Sequence, residues 1–208
     1  MTSVLDVSPV IPVVVVDDAS TAVPLAEALL AGGIGIIEIT LRSAQALDAV
    51  RSIAAEVPKM LVGAGTVCSP DQAKAAAAAG AQFLVSPGST DRLLDAMTEQ
   101  GLPFLAGCAT PSDMLRLLEH GVSEAKLFPA SAVGGTALLR AVRGPLPRLR
   151  FCPTGGITAE TAPDYLALAN VGCVGGSWLT PPDALAARDW NLVRSRAEQA
   201  RRLGGRQH

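Results

Sequence analysis

Apolar residues fall along this chain in eight short runs: VIPVVVV, GIIEIT, MLVGAGT, FLVSPG, PFLAGC, AKLFP, RFCPTG and GCVGGSW. They recur roughly every 21–27 residues, which is room for one strand, one helix and two tight connections. The segments between them carry helix periodicity and helix punctuation. In SPDQAKAAAAAG, Ser69 is placed to cap, Pro70 to open the first turn, Gln72 to complete a capping box and Gly80 to stop the helix. TDRLLDAMTEQG and TPSDMLRLLEHG repeat the scheme, with Gly101 and Gly121 just past their helices. In LDAVRSIAAEV, Leu47, Val50, Ile53, Ala54 and Val57 make one apolar stripe.

Strands alternating with helices imply a parallel sheet. Eight such units in 208 residues predict an α/β fold at the compact end of the (β/α)8 TIM barrel range. The expected organisation is a single domain over 1–208, with residues 1–9 and about 203–208 peripheral. An open doubly wound sheet usually has fewer units and a glycine-rich turn after its first strand, where this chain has DDAS. No linker divides the chain, and KAAAAAGA reads as an ordinary packed helix.

Composition narrows the function. A formal charge of −2 offers no basic excess for nucleic acid, and no acidic block suggests a disordered tail. The longest apolar stretches are too short to span a bilayer. MTSVLDVSP lacks the positive and apolar regions of a signal peptide, so a cytoplasmic protein is expected. Cys68, Cys108, Cys152 and Cys173 are far apart, which favours small buried residues in a reducing compartment over disulfides or zinc. The two histidines, His120 at a helix end and His208, are not spaced to ligate a metal, and no metal or cofactor is expected. Walker, dinucleotide and G-x-S-x-G fingerprints are absent from the sequence.

In a barrel, chemistry belongs at the C-terminal ends of the strands. In GIIEITLRS, Ile37, Ile39 and Leu41 share the face that suits the helix layer, while Glu38, Thr40 and Arg42 share the face that points into the mouth. Glu38 is either a working carboxylate or one half of a structural ion pair with Arg42. Of three lysines, only Lys126 lies in a strand, and AKLFPA offers it no charged neighbour. It could snorkel to water from the strand end. Helices cover the outside of a barrel, however, so its amine is expected in the mouth. A partly desolvated amine spends some of its time neutral and can then attack a carbonyl to form a Schiff base. PTGGIT and VGGSW end the last two strands, where barrels often hold phosphate on backbone N–H groups; Thr154 and Ser177 lie beside those glycines.

Taken together, GIIEITLRS, VGAGTV, FLVSPG, KLFPA, RFCPTGGIT and VGGSW resemble the motifs of the 2-keto-3-deoxy-6-phosphogluconate (KDPG) aldolases, collinearly from about Val10 to Trp178. The resemblance implies a class I aldolase on a (β/α)8 barrel, usually a homotrimer. The family cleaves KDPG to pyruvate and glyceraldehyde 3-phosphate in the Entner–Doudoroff pathway, and many members also cleave 4-hydroxy-2-oxoglutarate to pyruvate and glyoxylate. Carried over by motif, Lys126 resembles the Schiff-base residue and Glu38 the general acid/base. Arg42 and Thr66 resemble the binders of the pyruvyl end, and Thr154 the residue governing stereochemistry at the carbinol. Gly155, Gly156 and Ser177 resemble the phosphate cradle. The related phosphogalactonate aldolases tend to have an aliphatic residue where Thr154 stands, which favours the gluconate substrate. Ala106 departs from the proline usual in the family and bears on the shape of that loop. Residues beyond Trp178 match no motif and are expected to end as a frayed helix. A cofactor-free sugar-phosphate isomerase, or a sugar-phosphate binding protein, would use the same cradle but leave Lys126 unexplained.

Overall fold

The computed structural model describes residues 3–204. His208 and the last residues of the C-terminal tail lie outside the described residues.

Eight strands form one parallel sheet: β1 (Val10–Val14), β2 (Ile36–Thr40), β3 (Leu61–Gly65), β4 (Phe83–Val85), β5 (Phe104–Cys108), β6 (Glu124–Leu127), β7 (Arg150–Pro153) and β8 (Val174–Gly176). Each pairs with its neighbour in sequence, and β8 returns to β1 with Ile11 opposite Gly175. Bridges between Phe151 and Val171 and between Thr154 and Gly175 join β7 to β8 and close the ring. The fold is a single-domain (β/α)8 barrel.

Helices follow the strands: α1 (Ala22–Ala31), α2 (Ala46–Glu56), α3 (Pro70–Ala78), α4 (Asp91–Glu99), α5 (Pro111–Glu119), α6 (Gly135–Arg143), α7 (Ala162–Leu166), α8 (Pro182–Ala187) and α9 (Trp190–Arg201). Their ends follow the local chemistry. Ser69, Thr90 and Thr110 cap α3, α4 and α5 by accepting the N–H three residues on. The reciprocal capping box forms at Thr110 with Asp113. At Ser69 it does not: the Gln72 side chain reaches one residue further back and takes the N–H of Cys68. That places Cys68 at an exposed corner, unlike the buried Cys108, Cys152 and Cys173.

Two further segments pack on this frame. α9 buries Val193, Ala197 and Ala200, and Gly32 leaves room for the Ala197 methyl at the end of α1; the end of the chain, where fraying was expected, lies outside the described residues. Residues 3–9 lie outside the eight units but not outside the core. Val4 and Leu5 are buried at the base, where Ser3 donates to Glu124 and Arg150 pairs with Asp6 and Glu124.

Register fixes what points inward. Val13 lies opposite Glu38, and Glu38 opposite Gly63, so all three share one face. Gly63 lies opposite Phe83, whose ring occupies the space a side chain at Gly63 would need. The outward face of β2 is apolar: Ile37 and Ile39 are fully buried beneath the helices.

Candidate active site

Lys126 and Glu38 come from β6 and β2, which stand opposite each other across the ring. Their side chains meet over the barrel axis, with Nζ donating to Oε1 at 3.3 Å. Each residue is only 3% exposed. Neither charge could be held there alone, because desolvating an unpaired ammonium or carboxylate costs several kcal/mol. The Phe128 ring lies 5.2 Å from Nζ and adds a cation–π contact.

Glu38 therefore pairs with Lys126 and not with Arg42. Arg42 lies just beyond β2 and donates from Nε to Thr66 Oγ1 at 3.0 Å. Its terminal amino groups make no hydrogen bond to another described residue, which leaves a fork free for a carboxylate. Thr66 holds φ at +59°, a left-handed conformation that is a genuine outlier for a β-branched residue. Thr40, by contrast, is spent on structure: its hydroxyl donates to Val14 O at 2.9 Å.

On the other side of the mouth, Thr154 is buried above Cys152, with Oγ1 3.4 Å from Cys152 O. A side chain at Gly175 would collide with that hydroxyl, so the glycine makes its room. Gly155 and Gly156 follow with φ of +99° and +74°, a turn that carries no side chain over the mouth. Neither the N–H of Gly156 nor that of Ser177 donates to another described residue.

Sequence reading missed Ser131, two residues past Pro129. Its N–H donates to Gly155 O at 3.1 Å, and its hydroxyl sits where a Gly156 side chain would begin. Ser131 thus presents its hydroxyl beside the glycine turn, while Ser177 stands just past the end of β8. The available signal was the Ser in PASAVGG, in the loop leaving the lysine strand. Ala106 is fully buried in β5, while the neighbouring Gly107 lets Pro87 approach. Among the described residues no group of three or more His, Cys, Asp or Glu could hold a metal ion. Nor, among the described residues, is any helix long and apolar enough to cross a membrane.

One end of this cup can hold a carboxylate, the middle offers an amine beside a proton acceptor, and the far end offers neutral hydrogen-bond donors. The sequence comparisons bear on it directly. The family model described as KDPG and KHG aldolase matches residues 1–195. The KHG/KDPG aldolase of Escherichia coli is 49% identical over 198 residues, covering 95% of this chain and 93% of that one. Among solved structures, a KDPG aldolase from Legionella pneumophila, with pyruvate captured as a covalent carbinolamine, is 43% identical. It superposes with a TM-score of 0.93 over 95% of this chain and 96% of its own. A native KDPGal structure is 27% identical with a TM-score of 0.83, covering 94% of this chain and 93% of its own.

Proposed function

The chain belongs to the KDPG and KHG aldolase family, and from that membership we infer a class I aldolase that forms its Schiff base on Lys126. It is a carbon–carbon lyase that cleaves 2-dehydro-3-deoxy-6-phosphogluconate to pyruvate and D-glyceraldehyde 3-phosphate. The same reading includes cleavage of 4-hydroxy-2-oxoglutarate to pyruvate and glyoxylate, in keeping with the double name of the Escherichia coli relative. The observation that carries the residue assignment is the buried 3.3 Å contact between Lys126 Nζ and Glu38 Oε1.

A proton passed from Nζ to Oε1 converts the buried ion pair into a neutral amine and a neutral acid with no change in net charge. The amine adds to the C2 ketone, and loss of water gives a protonated imine. Glu38, again a carboxylate, takes the proton of the C4 hydroxyl as the C3–C4 bond breaks. The electron pair of that bond moves into the imine, and the aldehyde leaves. Glu38 returns its proton to C3 of the enamine, and hydrolysis frees pyruvate and the lysine.

Arg42 holds the C1 carboxylate through its free fork, with Thr66 fixing the guanidinium. Thr154 faces the carbinol at C4. Gly155, Gly156 and Ser177, joined by Ser131, take the phosphate through N–H groups and hydroxyls. Thr154 and the higher identity to the KDPG aldolases favour the gluconate over the galactonate epimer. The reading extends to one domain over 1–208, a homotrimer, a place in the Entner–Doudoroff pathway and a cytoplasmic setting. The family resemblance supports the trimer and the pathway, and three buried free thiols suit a reducing compartment.

Borohydride reduction with pyruvate tests the assignment: the expected adduct adds one pyruvyl mass to the Lys126 peptide and disappears in Lys126→Ala. An adduct on Lys59 or Lys74, or full turnover by Lys126→Ala, would overturn it.

A further inference from the structure

The phosphate corner holds a charge pattern that the aldolase reading does not use. Ser177 lines a cavity of about 320 Å3 at the rim between the ends of β1 and β8. Its walls are Val13, Val15, Leu185 and other small or apolar residues. The charged residues that line it are both carboxylates, Asp17 and Asp18. Asp18 is compensated, since Arg188 donates to its Oδ2 at 3.0 Å and Ser20 N–H to its Oδ1 at 2.9 Å. Asp17 is exposed and makes no ion pair or hydrogen bond with another described residue.

We propose that Asp17 is a specificity-determining residue that weakens binding of a doubly charged distal phosphate and so tilts the enzyme toward shorter, unphosphorylated 4-hydroxy-2-oxo acids. The inference deepens the aldolase reading and rests on it. A phosphate monoester carries about −1.5 to −2 charges at neutral pH. At this rim it would meet neutral donors on one side and an uncompensated carboxylate on the other. In 4-hydroxy-2-oxoglutarate the second carboxylate is bonded directly to C4 and stays near the amine. In KDPG the phosphate hangs from the C6 oxygen and reaches toward the rim. Repulsion from Asp17 therefore falls on one substrate and spares the other.

The test compares kcat/KM for KDPG and for 4-hydroxy-2-oxoglutarate in the wild-type chain and in Asp17→Asn, by coupled pyruvate release. The variant is expected to gain about fivefold on KDPG and to stay level on the shorter substrate. In the wild type the ratio of KDPG to hydroxyoxoglutarate efficiency is expected to climb as salt rises from about 20 to about 200 mM, because screening relieves repulsion. An unchanged or falling ratio in Asp17→Asn overturns the proposal. So does a wild-type ratio that falls with salt, the mark of a cationic phosphate site; this second measurement decides the matter if the variant does not fold. Pyruvate from neither substrate in the folded wild-type chain removes the aldolase reading itself, a different result from an active enzyme with an unmoved ratio.

Discussion

A β-carbon on Gly65 would sit 2.0 Å from Oε1 of Glu38, so this glycine is what lets the carboxylate reach across to Lys126. The missing side chain is a property of the site and not of the sheet, since a β3 residue with a methyl group would pair equally well. Gly65→Ala is expected to fold and to retain imine trapping on Lys126 while turnover falls about a hundredfold, as a displaced acid/base group would require. Pyruvate release alongside borohydride labelling measures both. Undiminished turnover would mean that Glu38 can work from another position.

The Lys126–Glu38 pair also makes a stability statement. Removing one partner leaves a buried charge without compensation, so Lys126→Met is expected to cost about 3 kcal/mol in urea unfolding. Adding Glu38→Gln to it neutralises the orphaned carboxylate and should restore at least half of that loss. Singles that add without coupling would show that water, and not the partner, satisfies these groups.

Much of this architecture could be read from local patterns. Helix caps and apolar periodicity are short-range properties, and Thr90, Thr110, Gly101 and Gly121 do what their neighbours dictate. Strand parity gave the face of Glu38 correctly but not its reach. Whether it met Arg42 or Lys126 depends on the barrel diameter and on Gly65, neither visible in β2 alone. Ser131 was missed for the same reason, since its place beside Gly156 comes from a contact between successive loops. The packing of α9 was hidden because the burial of Val193, Ala197 and Ala200 depends on elements distant in sequence, as where the Ala197 methyl meets Gly32 at the end of α1.

Thr66 holds a left-handed backbone with a β-branched side chain, a conformation that costs about 1–2 kcal/mol for an L-residue. Glycine relieves that strain and loses the hydroxyl that accepts from Arg42. Thr66→Gly is therefore expected to unfold at the same temperature or higher, offset only by about 0.5–1 kcal/mol of added chain entropy. KM for hydroxyoxoglutarate should rise as Arg42 loses its anchor. Thr66→Val keeps the strain and should raise KM without any gain in stability. A clear loss of stability in Thr66→Gly would show that the hydroxyl contact matters more to the fold than to the site.

Burial, with the Asp113 carboxylate adding to it, pushes the Cys108 thiol from an ordinary value of 9.0 up to about 12. The folded state thus keeps a proton that the unfolded chain gives up above pH 9.0. Between those values the unfolded state binds fewer protons than the native one, so stability must fall as pH rises. The contribution is fully present below the unfolded value and is lost on the way to the folded one, at about 1.4 kcal/mol per pH unit at most. Cys173, also raised by its contact with Cys152 and by burial, acts in the same direction, so the wild-type slope exceeds that of one thiol. Cys108→Ala is expected to be less stable at neutral pH through lost packing, yet to show a shallower decline in urea-unfolding free energy from pH 9 to 11. Parallel declines in the two proteins would place the alkaline sensitivity in other groups and leave the Cys108 thiol ionising as readily folded as unfolded.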